Sequence, residues 1–435
     1  MTSAVTLVIY GGLALVVPTL ALIANKMTIF PALLAVVILL LVAGLKRWRG
    51  QAGAVVEGGV AVPPAPFLKG VMGLPVPFGV LAVLLTWMVL SWTWSVEPDR
   101  PLQTLTSLII LAAGAALLWH GAGKLPLTLW GRAVLALLPI GALAGIGFLF
   151  GNLFGANRLM EMLKGEPVLP LYFNGGMAVL AIALWPGLRV LAGTTLLQGW
   201  WRVVCPAALL ALGLWSALTS ESSAAALGLI LGLLGAGSVF FFGVRIIRVW
   251  AVVVPLGVMA LPFALPPVLE RPDVFQAMKS IPISHQHRAY IWSYTADRIA
   301  EKPVLGWGID ASRALGNEEE RIVFYEQSPD RPIELGVSAI PLHPHNASFQ
   351  VALELGLVGL LLFAGVIFSV FWSMATCFAA APRWQSALAV GFVLTGLGIY
   401  FTAFGAWQSW WIACWAMVAA LYRLSCTSAP NNHAI

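Results

Sequence analysis

His343-Pro344-His345-Asn346-Ala347-Ser348-Phe349-Gln350 closes a long polar stretch and opens an apolar one, and its reading decides the fold. Upstream, residues 268 to 345 hold eight of the chain's 24 Lys and Arg residues and four of its six histidines. Downstream, the chain is apolar for about 30 residues, more than a helix needs to cross roughly 30 Å of hydrocarbon. Pro341 and Pro344 stop any helix before the span begins near Asn346. A solvated loop therefore runs straight into a membrane helix, with two histidines at the junction.

The same alternation extends outward. A chain of 435 residues, 60% hydrophobic and 10% charged, with a mean hydropathy of +0.90, is too apolar for a soluble domain. Its apolar segments are mostly about 18 to 22 residues long, and the alternating ten-residue pattern of barrel strands is not seen. The expected fold is all-α: a polytopic helical bundle of about twelve transmembrane helices with one large loop domain. The spans fall near 5 to 24, 28 to 45, 73 to 94, 103 to 119, 129 to 150, 173 to 188, 202 to 219, 222 to 243, 249 to 267, 347 to 378, 386 to 404 and 406 to 424. The first, lacking a basic region and a small-residue cleavage site, is expected to be retained.

A cytoplasmic N-terminus satisfies the positive-inside rule. Cytoplasmic connections then carry Lys46, Arg47, Arg49, Lys69, Lys124, Arg189, Arg202, Arg245, Arg248, Arg383 and Arg423, against Lys26, Arg100, Arg158 and Lys164 in short external loops. Residues 1–267 become nine helices with short loops, 268–345 a periplasmic loop, 346–425 three more helices and 426–435 a cytoplasmic tail. The segment 51 to 69, ending in Pro63-Pro64-Ala65-Pro66, reads as a flexible connection. The net charge of +6 is scattered singly between spans, which fits lipid headgroups and not nucleic acid. Cys205, Cys377, Cys414 and Cys426 lie in or beside apolar segments and read as small hydrophobes.

Within the loop, residues 287 to 300 contain good helix formers without Pro or Gly and should lie along the membrane surface. The run ends at Lys302-Pro303, and Val304-Leu305-Gly306-Trp307-Gly308 follows as a turn open to close backbone approach. The segment from Tyr325 to Leu335 reads as irregular.

Several residues could carry chemistry. His345, at the mouth of a span, can accept a proton near neutral pH, or simply cap the helix. Arg288 opens the surface helix and has the planar fork that grips a diphosphate, or it anchors headgroups. Arg298 has Asp297 and Glu301 as helical neighbours that could pair with it. His285/His287 and His343/His345 could be metal pairs, but a spacing of two is poor on a helix and no carboxylates frame them, so no metal is assigned. Glu221 marks a hairpin between spans, where an acid needs a role or solvation. Arg158 and Lys164 add external positive charge. Glu354 sits about two turns into a span, where a transporter would place a central charge.

Three stretches together resemble the O-antigen ligase and polymerase superfamily of bacterial membrane glycosyltransferases. The first is His345-Asn346, then nine residues, then Gly356-Leu357-Val358-Gly359. The second is Arg288-Ala289-Tyr290-Ile291-Trp292 leading to Lys302-Pro303-Val304-Leu305-Gly306-Trp307-Gly308. The third is Phe173-Asn174-Gly175-Gly176-Met177-Ala178 with the Ser220 to Ala224 hairpin; here relatives often carry arginines where this chain has Gly175 and Glu221-Ser222. The likeness covers about residues 170 to 360.

The resemblance implies transfer of a polymer from undecaprenyl diphosphate to a sugar of lipid A-core, on the periplasmic face of the inner membrane, without a nucleotide sugar, cofactor or metal. It implies catalysis by His345 and Arg288, and substrate contacts from Arg158, Arg298, His343, Asn346, Glu221 and Asn174. The rival readings are an O-antigen polymerase or protein O-oligosaccharyltransferase using the same donor, and a lipid-linked sugar flippase.

Overall fold

In the computed structural model, residues 10–14, 17, 76–123, 129–154, 161, 170–193, 197–316 and 319–427 are described. The expected spans 28 to 45 and most of 5 to 24, the connection 51 to 69, Arg158, Lys164 and the end of the tail lie outside them. The described helices are α1 (Val76–Ser91), α2 (Pro101–Gly123), α3 (Leu129–Phe154), α4 (Asn174–Gly193), α5 (Trp201–Thr219), α6 (Ser223–Phe242), α7 (Ile246–Leu269), α8 (Pro272–Met278), α9 (Ile283–Glu301), α10 (Ala347–Cys377), α11 (Arg383–Tyr400) and α12 (Ser409–Thr427). All but α8 and α9 fall on expected spans. Among the described residues, seven helices, α1 extended to Trp94, α2, α4, α5, α6, α7 and α10, are long and apolar enough to cross a membrane by length and composition.

Small residues and freed carbonyls hold the helices together. Gly228, Gly232 and Gly235 on α6 face α11 so closely that a Cβ on Gly232 would lie 2.0 Å from Thr395 Oγ1. Where apolar surface gives no preference for protein over lipid, such close backbone approach is what makes helices associate. Trp185 of α4, fully buried, donates its indole N–H to Thr395 Oγ1 at 2.9 Å. In α7, Pro262 has no N–H to offer the carbonyl of Val258, and that carbonyl accepts the hydroxyl of Ser348 from α10.

The loop domain is more ordered than its sequence suggests. α9 begins four residues earlier than expected and buries Gln286, Ala289, Ile291, Thr295 and Ile299. The segment read as irregular takes part in an antiparallel hairpin, β1 (Glu319–Tyr325) and β2 (Pro332–Ser338), pairing Glu319 with Ser338 through Tyr325 with Pro332. The cause is legible afterwards: Ile322, Val323, Phe324 and Tyr325 are strand formers, and Ile333, Leu335 and Val337 alternate with Glu334 and Gly336. Gln286 ties the hairpin to α9, donating to Tyr325 O at 2.7 Å and accepting from Tyr325 N at 3.0 Å.

The largest departure from expectation is in α10. Gly356, expected to lie on a continuous helix, adopts φ 64, ψ −166 and breaks it. The Pro303–Gly308 turn enters the break. Trp307 N and Gly308 N donate to Leu353 O and Glu354 O at 2.9 and 2.8 Å, while Leu357 N and Val358 N donate to Pro303 O and Val304 O at 2.9 and 3.4 Å. Trp87 of α1 donates its indole N–H to Leu355 O at 3.1 Å. The turn thus satisfies both broken ends of the helix, as an apolar surrounding demands. Gly306, at φ +70, lies against Gly356: a Cβ there would sit 2.6 Å from the Gly356 nitrogen.

Gly356→Ala should be severely destabilising. Its dihedrals belong to a region open essentially to glycine, costing about 1–3 kcal/mol before any clash, and the added carbon would lie 2.2 Å from Val304 O. Gly365→Ala, which meets Val80 at an ordinary 3.5 Å, is the matched control. Thermal unfolding in detergent should show a large loss for the first and little change for the second.

Candidate functional site

The break in α10 sets up the site through Glu354. This residue is fully buried, and its carboxylate accepts from Asp310 N at 2.8 Å, Gln350 Nε2 at 3.0 Å, Trp407 Nε1 at 2.6 Å and the hydroxyl of Ser312. The donors come from three segments: the loop after Gly308, α10 itself and the connection between α11 and α12. Glu354 is an anchor whose acceptor sites are filled, not a free charge. Gln350, one turn earlier, accepts Ala406 N at 2.7 Å, so the α11–α12 connection is held twice.

That connection is what sequence reasoning missed. Residues 401–408 lie outside the helices, where the expected spans left room for one residue. Gly405 allows the approach: a Cβ on it would stand 2.8 Å from the ring of His343. The polar Gln408 and Ser409, flanked by Gly405, were the available signal.

The connection fixes the histidines. His345 Nδ1 lies 2.9 Å from Ala403 O. A carbonyl can only accept, so Nδ1 carries the proton and Nε2 is the basic nitrogen. Nε2 makes no hydrogen bond among the described residues. The backbone N–H of His345 donates to His343 Nδ1 at 3.1 Å, which puts the His343 proton on Nε2. The two rings meet edge to face at 4.4 Å. His345 holds φ +56, a left-handed conformation that costs energy and lets the chain turn sharply into α10. Asn346, buried, caps that helix by accepting Ser348 N at 2.9 Å and Phe349 N at 3.4 Å.

α9 docks against this corner by Trp292, whose indole donates to Pro344 O at 2.8 Å and stacks on Phe349. Arg288, one turn earlier and half-buried, approaches His285 Nδ1 at 3.4 Å, and His285 Nε2 reaches Ser223 Oγ at 3.4 Å. The α5–α6 hairpin, α9 and the histidine corner therefore share one region. Arg288 forms no ion pair among the described residues, unlike Arg271, Arg298 and Arg313. Burial lowers the His345 pKa from its ordinary value, and the charges of Arg288 and His287 lower it further against the opposing Ala403 bond. The imidazole is thereby kept neutral and able to take a proton.

The remaining sequence candidates are more dispersed. Arg298 pairs with Glu301 at 2.8 Å and lies over Tyr294. Glu221 sits exposed at φ +55 on the α5–α6 hairpin, two residues from Ser223. Asn174 is exposed at the start of α4 and has no hydrogen bond to the histidines among the described residues. Among those residues no group of three or more His, Cys, Asp or Glu side chains is arranged to hold a metal ion.

Residues 207–364 match the family model described as O-antigen ligase, a span that includes Glu221, Arg288, His345 and Glu354. A Rickettsia bellii protein named "Putative polysaccharide ligase" is 27% identical over 293 residues, covering 66% of each chain. Its namesake from Rickettsia felis is 27% identical over 157 residues, covering 36% of each. The matched region thus spans 66% or less of these relatives' lengths. The resemblance to the O-antigen ligase superfamily is shown over the loop domain and its flanking helices.

His343 gives the site a measurable pH signature. Burial, then His345 and Arg313, lower its pKa to about 3. Between that value and the ordinary ~6.5 the unfolded chain binds the proton and the folded one does not. Stability is full above about pH 6.5 and falls as pH drops, by on the order of 1.4 kcal/mol per unit. His343→Gln should flatten the pH dependence of the unfolding midpoint between pH 4 and 6.5.

Proposed function

Taking the likeness to the O-antigen ligases as premise, we propose that this chain is a glycosyltransferase that moves a polysaccharide from undecaprenyl diphosphate to a sugar of lipid A-core. The observation that carries the reading is the bare Nε2 of His345, oriented by Ala403 and set near a half-buried Arg288 that no carboxylate among the described residues neutralises.

In the proposed step, His345 Nε2 takes the proton of the acceptor hydroxyl as its oxygen attacks the anomeric carbon of the donor. The bond from that carbon to the diphosphate oxygen breaks, and the electron pair leaves with the diphosphate. Arg288 meets the charge that grows there, where a preformed cation in a water-poor site is most effective. One displacement inverts the anomeric carbon. A second acidic or metal centre is not part of this scheme. The α5–α6 hairpin, linked to Arg288 through Ser223 and His285, would border the diphosphate. His343 and Asn346 act as positioning residues, the first through the His345 backbone and the second through the helix cap.

The topology belongs to the same proposal: twelve spans, N-terminus in the cytoplasm, and the 268–345 loop in the periplasm of a bacterium with an inner membrane. A compact loop without an added soluble domain favours the ligase over the polymerase. The flippase reading needed Glu354 as a central substrate charge, and its filled acceptor sites argue against that.

Purified protein in detergent, an undecaprenyl-diphosphate-linked glycan and lipid A-core should give a ladder of glycosylated lipid A-core on a gel. His345→Ala should lower the rate by about 10²–10⁴-fold, the usual worth of a general base, and Arg288→Ala should abolish transfer. Donor that lengthens without acceptor would make the polymerase the better reading, and no change in either lipid would favour the flippase.

A further inference from the structure

His285 is a polar group of the site to which the transfer scheme gives no task. It lies in the first turn of α9, half-buried, one turn before Arg288 on the same face. Arg288 Nη1 stands 3.4 Å from His285 Nδ1. A guanidinium has donors only, so Nδ1 is the acceptor and the proton of the neutral ring sits on Nε2. That nitrogen can then donate to Ser223 Oγ, also 3.4 Å away, at the start of α6. His285 thus reaches the arginine on one side and the α5–α6 hairpin on the other. Among the described residues it is the one hydrogen-bond partner of the Arg288 guanidinium, and no carboxylate pairs with that charge.

The kind of acceptor matters. An arginine side chain has many rotamers, and a partner that holds it in place removes part of the ordering cost when a ligand arrives. A carboxylate would also hold it, but would neutralise the guanidinium and repel a diphosphate. A neutral imidazole offers one lone pair and no charge. His285 is kept in that form by its surroundings. Burial lowers its pKa from the ordinary value, and the charge of Arg288 lowers it further. Its place in the first helical turn, at the positive end of the helix dipole, disfavours a cation as well. Of the elements around α9, α6 and α7 carry no titratable side chain over residues 223–242 and 249–269. Glu320 of β1 is taken by Tyr290, and Glu354 of α10 by its four donors. His287, on the same helix, is turned to Ser338 O of β2. Arg288 is therefore the charged group that His285 answers to.

We propose that His285 is a positioning residue for Arg288: its neutral Nδ1 holds the guanidinium in place for the leaving diphosphate without spending its charge, and Ser223 steadies the ring. The assignment rests on the transfer reading above. When His285 takes a proton the lone pair is lost, and two cations stand side by side. Arg288 is then released. Two histidines must accordingly be neutral for transfer, His345 as base and His285 as holder, so activity falls on the acid side in a two-proton step.

The test joins steady-state transfer by the full-length protein in detergent, followed from neutral pH downward, to a nitrogen NMR titration of the histidine-labelled protein. His285→Leu, which removes the acceptor, should lower kcat by up to about 10²-fold, the cost of misplacing a group by about 1 Å. His285→Gln, whose side-chain oxygen accepts the same N–H, should recover most of that loss and turn the two-proton acid limb into a one-proton limb. His285→Glu keeps an acceptor but adds a negative charge, and should raise the KM for the lipid-diphosphate donor about tenfold or more. In the NMR titration, Arg288→Met should move the His285 pKa up toward the ordinary ~6.5 by removing the neighbouring cation. An acid limb unchanged in His285→Gln, no recovery by glutamine over leucine, or a His285 pKa indifferent to Arg288→Met would overturn the assignment. A donor KM that falls as His285 takes its proton would overturn it too, by making the ring a cation on the diphosphate. If the wild type transfers nothing while Arg288→Met still moves the His285 pKa, the pairing stands and the transfer reading goes; an active enzyme whose His285 pKa ignores Arg288 gives the reverse.

Discussion

A helix broken in an apolar surrounding must have its broken ends hydrogen-bonded, and everything around the site follows from how this chain meets that demand. Gly356 interrupts α10, and the exposed carbonyls and amides are taken up by a turn from the loop domain and an indole from α1. The turn cannot move without leaving those groups unpaired. A solvated loop is in this way locked to a membrane helix by backbone bonds, which are less tolerant of sliding than side-chain packing. Gly306 and Gly356 are required because the two backbones touch.

The lock passes outward. Trp307 and Gly308 place Asp310 and Ser312 against Glu354, and Glu354 with Gln350 holds the α11–α12 connection. That connection presents Ala403 O to His345, and a single carbonyl then decides which ring nitrogen is basic. The imidazole is thus oriented from a segment about sixty residues further along the chain. A neutral, half-buried histidine near an arginine that has no acidic partner among the described residues is an arrangement that costs stability, and proteins keep such costs mainly where chemistry is done.

Much of this was legible in the residues. Hydropathy marked the ten described helices on expected spans, because length and apolarity are the whole requirement for crossing a bilayer. His345 and Arg288 stood out by residue type and place, and the structure sets both in one region. Other features needed three dimensions. The Gly-x-x-Gly of α10 was read as a packing face, since nothing in one segment reveals that a turn some fifty residues earlier will enter it. The β1–β2 hairpin was missed although its strands alternate, because the charged residues between them suggested a solvated coil. Ala403 was beyond reach altogether: a backbone carbonyl acts without regard to its side chain. Glu354 was noticed as a buried charge, but only its four donors distinguish an anchor from a transport site.

The central claim is that His345 is a neutral imidazole with its proton on Nδ1 and its lone pair on Nε2. Nitrogen NMR of histidine-labelled protein in nanodiscs, with His345 assigned by comparison with His345→Gln, reads this directly. At neutral pH the account requires a protonated Nδ1 and a bare Nε2, shifting to imidazolium only below the ordinary histidine range. A proton on Nε2, or an imidazolium already present at neutral pH, would contradict it.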